Sequence, residues 1–185
     1  TFVDDISYFG EVAINADRVA FHGRTGRDKA VFTQAGLVAK EDDILTSGTL
    51  NEIKEQGKVA ITNFDVVAFH GKIEIEVEDG LGDTEEFSAV FTSDGQTTQV
   101  AVREGDTLPD ETPLDDITES GGVAISDLEE VAFHGQAVNP DRGGDSLKAV
   151  FTSWGLVARE GADLPDGTIL DDINENGGVA INLMG

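Results

Sequence analysis

The sequence predicts an all-β fold made of tandem four-stranded antiparallel repeats, β-propeller-like, with three blades and one spare strand. Short apolar blocks recur in the same order along the whole chain. Each block is rich in Val, Phe and Ile and is bounded by Gly, Asn or Asp, a pattern typical of strands. No window of about 12 residues has the i, i+3, i+4, i+7 apolar spacing of a helix.

Four apolar blocks define each repeat, and each block predicts one strand. The block G-x-V-A-I occurs four times, with its valine at Val12, Val59, Val123 and Val179. The block V-A-F-H-G occurs three times, starting at Val19, Val67 and Val131. The block A-V-F-T follows at Ala30, Ala89 and Ala149, and an L-V-A-R-E-like block follows at Leu37, Val100 and Leu156. In V-A-F-H-G, we expect Val and Phe on one face of the sheet and Ala and His on the other.

An acidic segment joins each repeat to the next and is expected to be an extended connection. It begins at four threonines spaced by 48, 63 and 56 residues, namely Thr1, Thr49, Thr112 and Thr168. Such a period is typical of propeller blades. The chain is therefore predicted to be one repeat domain, 1–185, with approximate repeats at 11–58, 59–122 and 123–177. Extra residues between Lys72 and Glu86 predict a longer hairpin in the second repeat.

The repeat count leaves one strand over. Closed propellers have about 4–8 blades, so three blades do not close a ring, whereas two chains of three blades would. The last G-x-V-A-I block is followed by no V-A-F-H-G block and comprises Gly178, Val179, Ala180, Ile181 and Asn182. We expect this strand to pair with an edge of a neighbouring copy, within residues 1–15 and near Val12, Ala13 and Ile14. The alternative is a fragment of a longer protein whose next blade is missing.

The strong acidity of the chain excludes one class of partner. The chain has 12 Lys and Arg against 37 Asp and Glu, a formal net charge of −25 at pH 7. This field repels phosphate backbones, so nucleic-acid binding is not expected. A hydrophobic content of 39% with 4 Pro argues against disorder. No apolar stretch of about 18 residues could span a membrane, and the absence of Cys excludes disulfides and thiol chemistry.

Two sets of residues are candidates for metal binding. His22, His70 and His134 occupy one position in each repeat, so they could form a ring of imidazoles around a central channel. The competing interpretation is that duplication copied one half-buried strand residue. Asp172, Asn174 and Asn176 have the D-x-N-x-N-G spacing that can begin a calcium loop, although such sequences also form ordinary turns. Ca²⁺ is therefore the one candidate cofactor.

The chain is predicted not to be an enzyme, and no catalytic residues are expected. The sequence has no Ser-His-Asp or Cys-His set in a recognisable context and no Gly-rich loop that leads into a helix. Adjacent carboxylates such as Asp115/Asp116 and Asp171/Asp172 suggest glycosidase acids. They recur in each repeat, however, and an active site needs such a pair only once.

Several blocks resemble a bacterial tandem-repeat family with Asn-x-x-Gly-x-x-Ala-Phe repeats. The matching segments are INENGGVAIN from Ile173 and INADRVAFHG from Ile14, followed by A-V-F-T and by LVAREGADLPDGT from Leu156. His22 stands where Arg is more usual after V-A-F. The resemblance covers essentially the whole chain. It implies a propeller-like protein that is secreted or anchored at the cell surface, mostly without an assigned activity.

Repeat count and resemblance together predict an extracellular or cell-surface structural protein. It would self-associate through its terminal strand, either as a closed ring or as a head-to-tail fibre, so the expected partner is a second copy of the chain. The alternative function is a propeller module at the cell surface that binds calcium or a glycan.

Overall fold

The chain consists of strands and turns wherever its structure is described. A computed structural model describes residues 5–6, 12–77, 82–138 and 145–182, and these contain sixteen strands and no helix. The predicted all-β class with antiparallel pairing is therefore confirmed. A helix long and apolar enough to cross a membrane is not found in these ranges. Within the predicted acceptor segment, 1–4 and 7–11 lie outside the described residues.

The strands form three antiparallel sheets. The first contains β1 (Asp5–Ile6), β2 (Val12–Asn15), β3 (Arg18–Thr25), β4 (Asp28–Thr33) and β5 (Gly36–Lys40). The second contains β6 (Asp43–Leu45), β7 (Gly48–Ile53), β8 (Val59–Ile61), β9 (Val67–Glu76), β10 (Thr84–Ser93) and β11 (Thr98–Arg103). The third contains β12 (Leu114–Ile117), β13 (Val123–Ile125), β14 (Val131–Val138), β15 (Ser146–Thr152) and β16 (Gly155–Arg159).

The acidic connecting segment is part of each sheet and not only a link between repeats. In the second sheet, β7 and β8 both pair with β9, so that Ile53 lies opposite Gly71 and Val59 lies opposite Phe69. In the same way, β1 and β2 both pair with β3 in the first sheet, and β12 and β13 both pair with β14 in the third. In each sheet, the strand on this side of the V-A-F-H-G strand, here called the inner strand, is thus in two pieces. The connection expected from the sequence is a strand because its few apolar residues, such as Ile53, face the core.

Cross-strand phenylalanine pairs join the two central strands of each sheet. Phe69 lies opposite Phe91 in the register of β9 and β10, with ring centroids 5.4 Å apart and an interplanar angle of 15°. The other two pairs repeat this geometry and are Phe21–Phe32 and Phe133–Phe151. Burying one such ring contributes about 1.5–3 kcal/mol, which helps so acidic a chain to fold.

Two apolar cores lie between consecutive sheets. In the first core, Ala20 and Val31 of the first sheet pack with Phe69 of the second sheet. In the second core, Val90 of the second sheet packs with Phe133 of the third. Each sheet thus has a leading face, with the Val and Phe of V-A-F-H-G, and a trailing face, with the Ala and His. In both cores a trailing face meets the leading face of the next repeat.

The extra residues of the second repeat lengthen the hairpin of β9 and β10, as predicted. The two strands pair over ten residues each, from Val67 opposite Ser93 to Glu76 opposite Thr84. The tip, residues 78–81, lies outside the described residues. The insertion leaves the phenylalanine pair of this sheet in the same register as in the other two sheets.

Candidate assembly site

The leading face of the first sheet carries exposed apolar side chains. Val12 and Ile14 on β2 are 56% and 72% exposed. At the position of Ile14, the second repeat has Ile61, which is only 5% exposed because it packs in the core with the first sheet. Phe21 is likewise only half-buried, whereas its equivalent Phe69 is fully buried in the core with the first sheet. The first sheet therefore exposes the apolar surface that the other sheets bury against a preceding repeat.

The trailing face of the third sheet is only partly covered. Val150 is half-buried on this face, whereas its equivalents Val31 and Val90 are fully buried. A groove of about 490 Å³ lies here, and it is lined mainly by apolar groups. Its walls include Ala132, His134, Val150, Thr152, Val157 and residues 178–182. In the two internal contacts, the core at the equivalent face also contains the Val and Phe of the following V-A-F-H-G strand.

The terminal segment, residues 162–182, begins a fourth inner strand on this trailing face. Its hairpin copies the preceding one, because the Leu170 N–H donates to Ala162 O at 2.9 Å just as the Leu114 N–H donates to Asp106 O. Residues 179–181 then correspond to β2, β8 and β13. Each of those strands pairs with a V-A-F-H-G strand, but 179–181 belong to no strand in the part of the chain that is described.

A close backbone contact seats the terminal segment on the third repeat. Gly122 lies so near it that an added Cβ would stand 2.8 Å from Val179 N and 3.0 Å from Gly177 O. The Thr118 hydroxyl donates to Glu175 Oε1 at 2.8 Å beside this contact. A glycine at 122 is therefore required by the approach of two backbones, and a side chain there would push the terminal segment away.

The glutamate after the L-V-A-like block joins one repeat to the segment that follows it in the first and third repeats. Glu41 accepts the backbone N–H of Lys29 in its own sheet at 3.0 Å and that of Ile53 in the second sheet at 3.1 Å. Glu160 accepts the N–H of Ile173 in the terminal segment at 3.2 Å. The sequence shows this glutamate in all three repeats. Its role was not predicted, because an acidic residue beside a turn usually faces water.

The three histidines lie on trailing faces and are buried. His22, His70 and His134 are 1%, 0% and 4% exposed. Both ring nitrogens of His22 and His70 lack a hydrogen-bond partner, as does Nδ1 of His134. Among the described residues, no three His, Cys, Asp or Glu side chains are grouped to hold a metal ion. Metal binding by these histidines therefore stays a prediction without support from the geometry.

Burial makes these imidazoles hard to protonate. Burial lowers the pKa of His22 to about 4, against the opposing field of Glu55. Burial also lowers the pKa of His70 to about 4, although the nearby backbone of Gly122 opposes the shift, and positive charge on His134 or His22 would lower it further. Burial lowers the pKa of His134 as well. All three side chains are therefore neutral at pH 7.

The residues predicted to begin a calcium loop are engaged within the protein. Asp172 Oδ1 accepts a hydrogen bond from Lys148 Nζ at 2.8 Å, and this lysine holds the pKa of Asp172 below its usual range. Asn174 Oδ1 accepts the backbone N–H of Asn176 at 3.2 Å, and Asn174 O accepts that of Gly177 at 2.9 Å. These are the contacts of a tight turn. Calcium binding here stays a prediction.

A polar cleft of about 660 Å³ lies beside the inner turns of the second and third repeats. Lys54 Nζ lies 2.6 Å from Glu52 Oε2 and 2.9 Å from Glu119 Oε2. Burial by itself would lower the pKa of Lys54, but its hydrogen bonds to these two carboxylates raise it. Burial raises the pKa of Asp116, and nearby carboxylates such as Glu119 add to the shift. Lys54 therefore ties the second repeat to the third across the cleft.

The chain belongs to the family described as Family of unknown function (DUF7453), whose model matches residues 3–182. No curated protein and no solved structure matches it. The family match confirms that one family relationship extends over nearly the whole chain. Secretion, anchoring and the tandem-repeat family named above stay predictions.

Proposed function

We propose that this DUF7453 chain is a structural module that assembles head to tail at the cell surface. In this assembly, the trailing face of the third sheet in one copy covers the leading face of the first sheet in the next copy. The observation that carries the proposal is the pair of open faces, one at each end of the array of sheets. Within the chain, a trailing face and a leading face of this kind pack against each other between consecutive sheets.

The internal contact occurs twice with the same elements. β3 lies against β8 and β4 against β7 between the first and second sheets. β9 lies against β13 and β10 against β12 between the second and third sheets. A third contact of this kind, between copies, would bury the half-buried Phe21 and the exposed Val157 in the same way. An apolar face of this type on an isolated chain is an interaction surface.

Exposed apolar residues at the two ends supply the driving force for such an assembly. Val157 in the groove is 61% exposed, and burying a valine or isoleucine side chain fully contributes about 1.5–3 kcal/mol. The net charge of −25 opposes association, but its repulsion is screened over about 8 Å at physiological salt. The balance favours assembly at moderate ionic strength. An extracellular location rests on the resemblance described above.

Sedimentation velocity of the intact chain at about 0.15 M NaCl tests the proposal. A closed ring gives a discrete species of twice 19.6 kDa, and a fibre gives a broad distribution of larger species. Val157→Glu places an unpaired carboxylate in the groove beside Glu130. We expect it to weaken association roughly a hundredfold, because burying an uncompensated charge costs several kcal/mol.

Ile44→Glu is the matched control, since Ile44 is 88% exposed on β6 and lies outside the groove. It adds the same charge to a different surface and is expected to leave the association constant within about threefold of the parent value. A parent chain that stays at 19.6 kDa at every concentration up to its solubility limit would refute the proposal.

A further inference from the structure

The head-to-tail assembly places two equivalent segments in competition for one position. The terminal segment already occupies the inner-strand position on the trailing face of the third sheet. In a second copy, β1 and β2 occupy the inner-strand position of its first sheet. When the two faces meet, these positions coincide, so one of the two segments has to leave. Residues 12–15 and 179–182 have the identical sequence Val-Ala-Ile-Asn.

We infer that the two copies exchange strands: residues 179–181 of one copy pair with β3 of the other and replace its β2. This inference rests on the proposed head-to-tail assembly and names the strand that joins the copies. The pairing register follows from the three existing pairs, in which Ile14 lies opposite Val19, Ile61 opposite Val67, and Ile125 opposite Val131. Ile181 of one copy therefore lies opposite Val19 of the other.

Exchange costs little because the incoming strand has the sequence of the strand that it replaces. Swapping an identical element between copies is a low-cost route to an oligomer. The backbone ladder and the side chains that face β3 are the same before and after the exchange. The gain is the apolar contact between the two faces, which the separate chains lack.

The contacts of the terminal segment decide which of the two segments leaves. The Glu175 carboxylate accepts the Thr118 hydroxyl, and Gly178 lies where the backbone passes close to Gly122. At the same two positions the N-terminal segment has Tyr8 and Glu11, both outside the described residues. Tyr8 does not match this seat, because it carries no carboxylate to accept the Thr118 hydroxyl, whereas Glu11 is compatible with it, since an added Cβ at Gly178 would meet only Lys58 Nζ, at 3.7 Å. The terminal segment therefore stays, and β2 of the partner copy leaves.

Cysteine cross-linking tests the exchange in a chain that has no cysteine of its own. Val19→Cys and Ile181→Cys are made in separate chains, mixed in urea, refolded together and oxidised mildly. Mixing in urea ensures that slow release of β2 does not limit the result. Opposed residues of paired strands have Cβ atoms about 4.5–5.5 Å apart, within reach of a disulfide after small adjustment. We expect a disulfide-linked species of twice 19.6 kDa, which reductant abolishes.

Two controls fix the register. Ala180→Cys mixed with Val19→Cys should give no such species, because neighbouring side chains of a strand point to opposite faces. A single chain with Ile14→Cys and Val19→Cys should close an internal disulfide in the unassembled chain, which shows that this pair of positions accepts the bond. Gly122→Ala, which pushes the terminal segment off its seat, should reduce the yield of the linked species several-fold.

Substitutions that add a charge distinguish strand exchange from contact of the two faces without exchange. Ile181→Glu should weaken assembly at least tenfold more than Ile14→Glu does, because after the exchange Ile181 and not Ile14 lies in the contact between the two faces. The reverse result, or assembly without the cross-link between Val19→Cys and Ile181→Cys, would overturn the exchange and leave the proposed function standing. A chain that does not associate at all would overturn both.

Discussion

The buried His70 side chain predicts that the fold loses stability in mild acid. Its pKa is lowered from 6.5 to about 4 in the folded chain. Between these pH values the unfolded chain binds a proton and the folded chain does not. The stability is therefore fully present above pH 6.5 and is lost as the pH falls toward 4. A difference of about 2.5 units corresponds to about 3 kcal/mol for this one side chain.

Two substitutions separate the titration of His70 from the cost of burying it. His70→Gln remains polar but does not titrate, so it should remove the contribution of His70 to the pH slope, at most about 1.4 kcal/mol per pH unit. His70→Leu should remove the same slope and also raise the free energy of unfolding at pH 7 by about 1–3 kcal/mol. It does so because two buried nitrogens without hydrogen-bond partners are replaced by carbon.

Urea unfolding followed by circular dichroism, at several pH values from about 7 down to 5, measures this slope. The window lies above the range in which carboxylates titrate, and His22, with a pKa also near 4, continues to contribute in both variants. His134, whose pKa is also lowered, contributes as well, so the slope should fall but not to zero. Equal slopes in the parent chain and in His70→Gln would refute the reasoning, since His70 would then have a hydrogen-bond partner or contact with water.

Two further predictions concern the stability of one chain and the association between copies. Glu41→Ala leaves the N–H groups of Lys29 and Ile53 without their acceptor, so urea unfolding should show a loss of about 2–4 kcal/mol, and Glu41→Gln, which keeps one oxygen, should lose less. An unchanged free energy of unfolding would contradict this role of Glu41. Assembly should weaken as NaCl falls from about 0.15 M to about 0.02 M, because repulsion between copies of charge −25 is then less screened. Sedimentation that is independent of salt would contradict this electrostatic account.

The strand blocks could be predicted from the sequence because their information is local. Alternating apolar residues bounded by turn residues specify a strand, and repetition of the pattern removes ambiguity. The leading and trailing faces of V-A-F-H-G follow from the same alternation, and the structure confirms them. The acidic segment before each G-x-V-A-I block was not recognised as a strand. Its acidic residues are exposed or half-buried, and its core residues, such as Ile53 and Ile117, are too few to form a pattern.

Contacts between repeats could not be predicted, because they join residues far apart in the chain. The bridge from Lys54 to Glu119 and the hydrogen bond of Glu41 to Ile53 each require the neighbouring sheet to be in place. The histidines illustrate the same limit. Their spacing in the sequence suggested a metal site, but only the packing shows that His70 is enclosed without a partner.

The sequence by itself determined the four apolar strand blocks of each repeat, their order and the excess of one G-x-V-A-I block, since these depend on local pattern and counting. Only the tertiary structure decided which faces are covered. It seats the terminal segment on the third sheet, and it leaves Val12, Ile14 and Val157 exposed. The physical reason is that burial is a property of neighbouring surfaces. The same Val-Ala-Ile-Asn sequence is a paired strand at 12–15 and belongs to no strand at 179–182. Within the described residues, a V-A-F-H-G strand follows the first segment and pairs with it, but none follows the second.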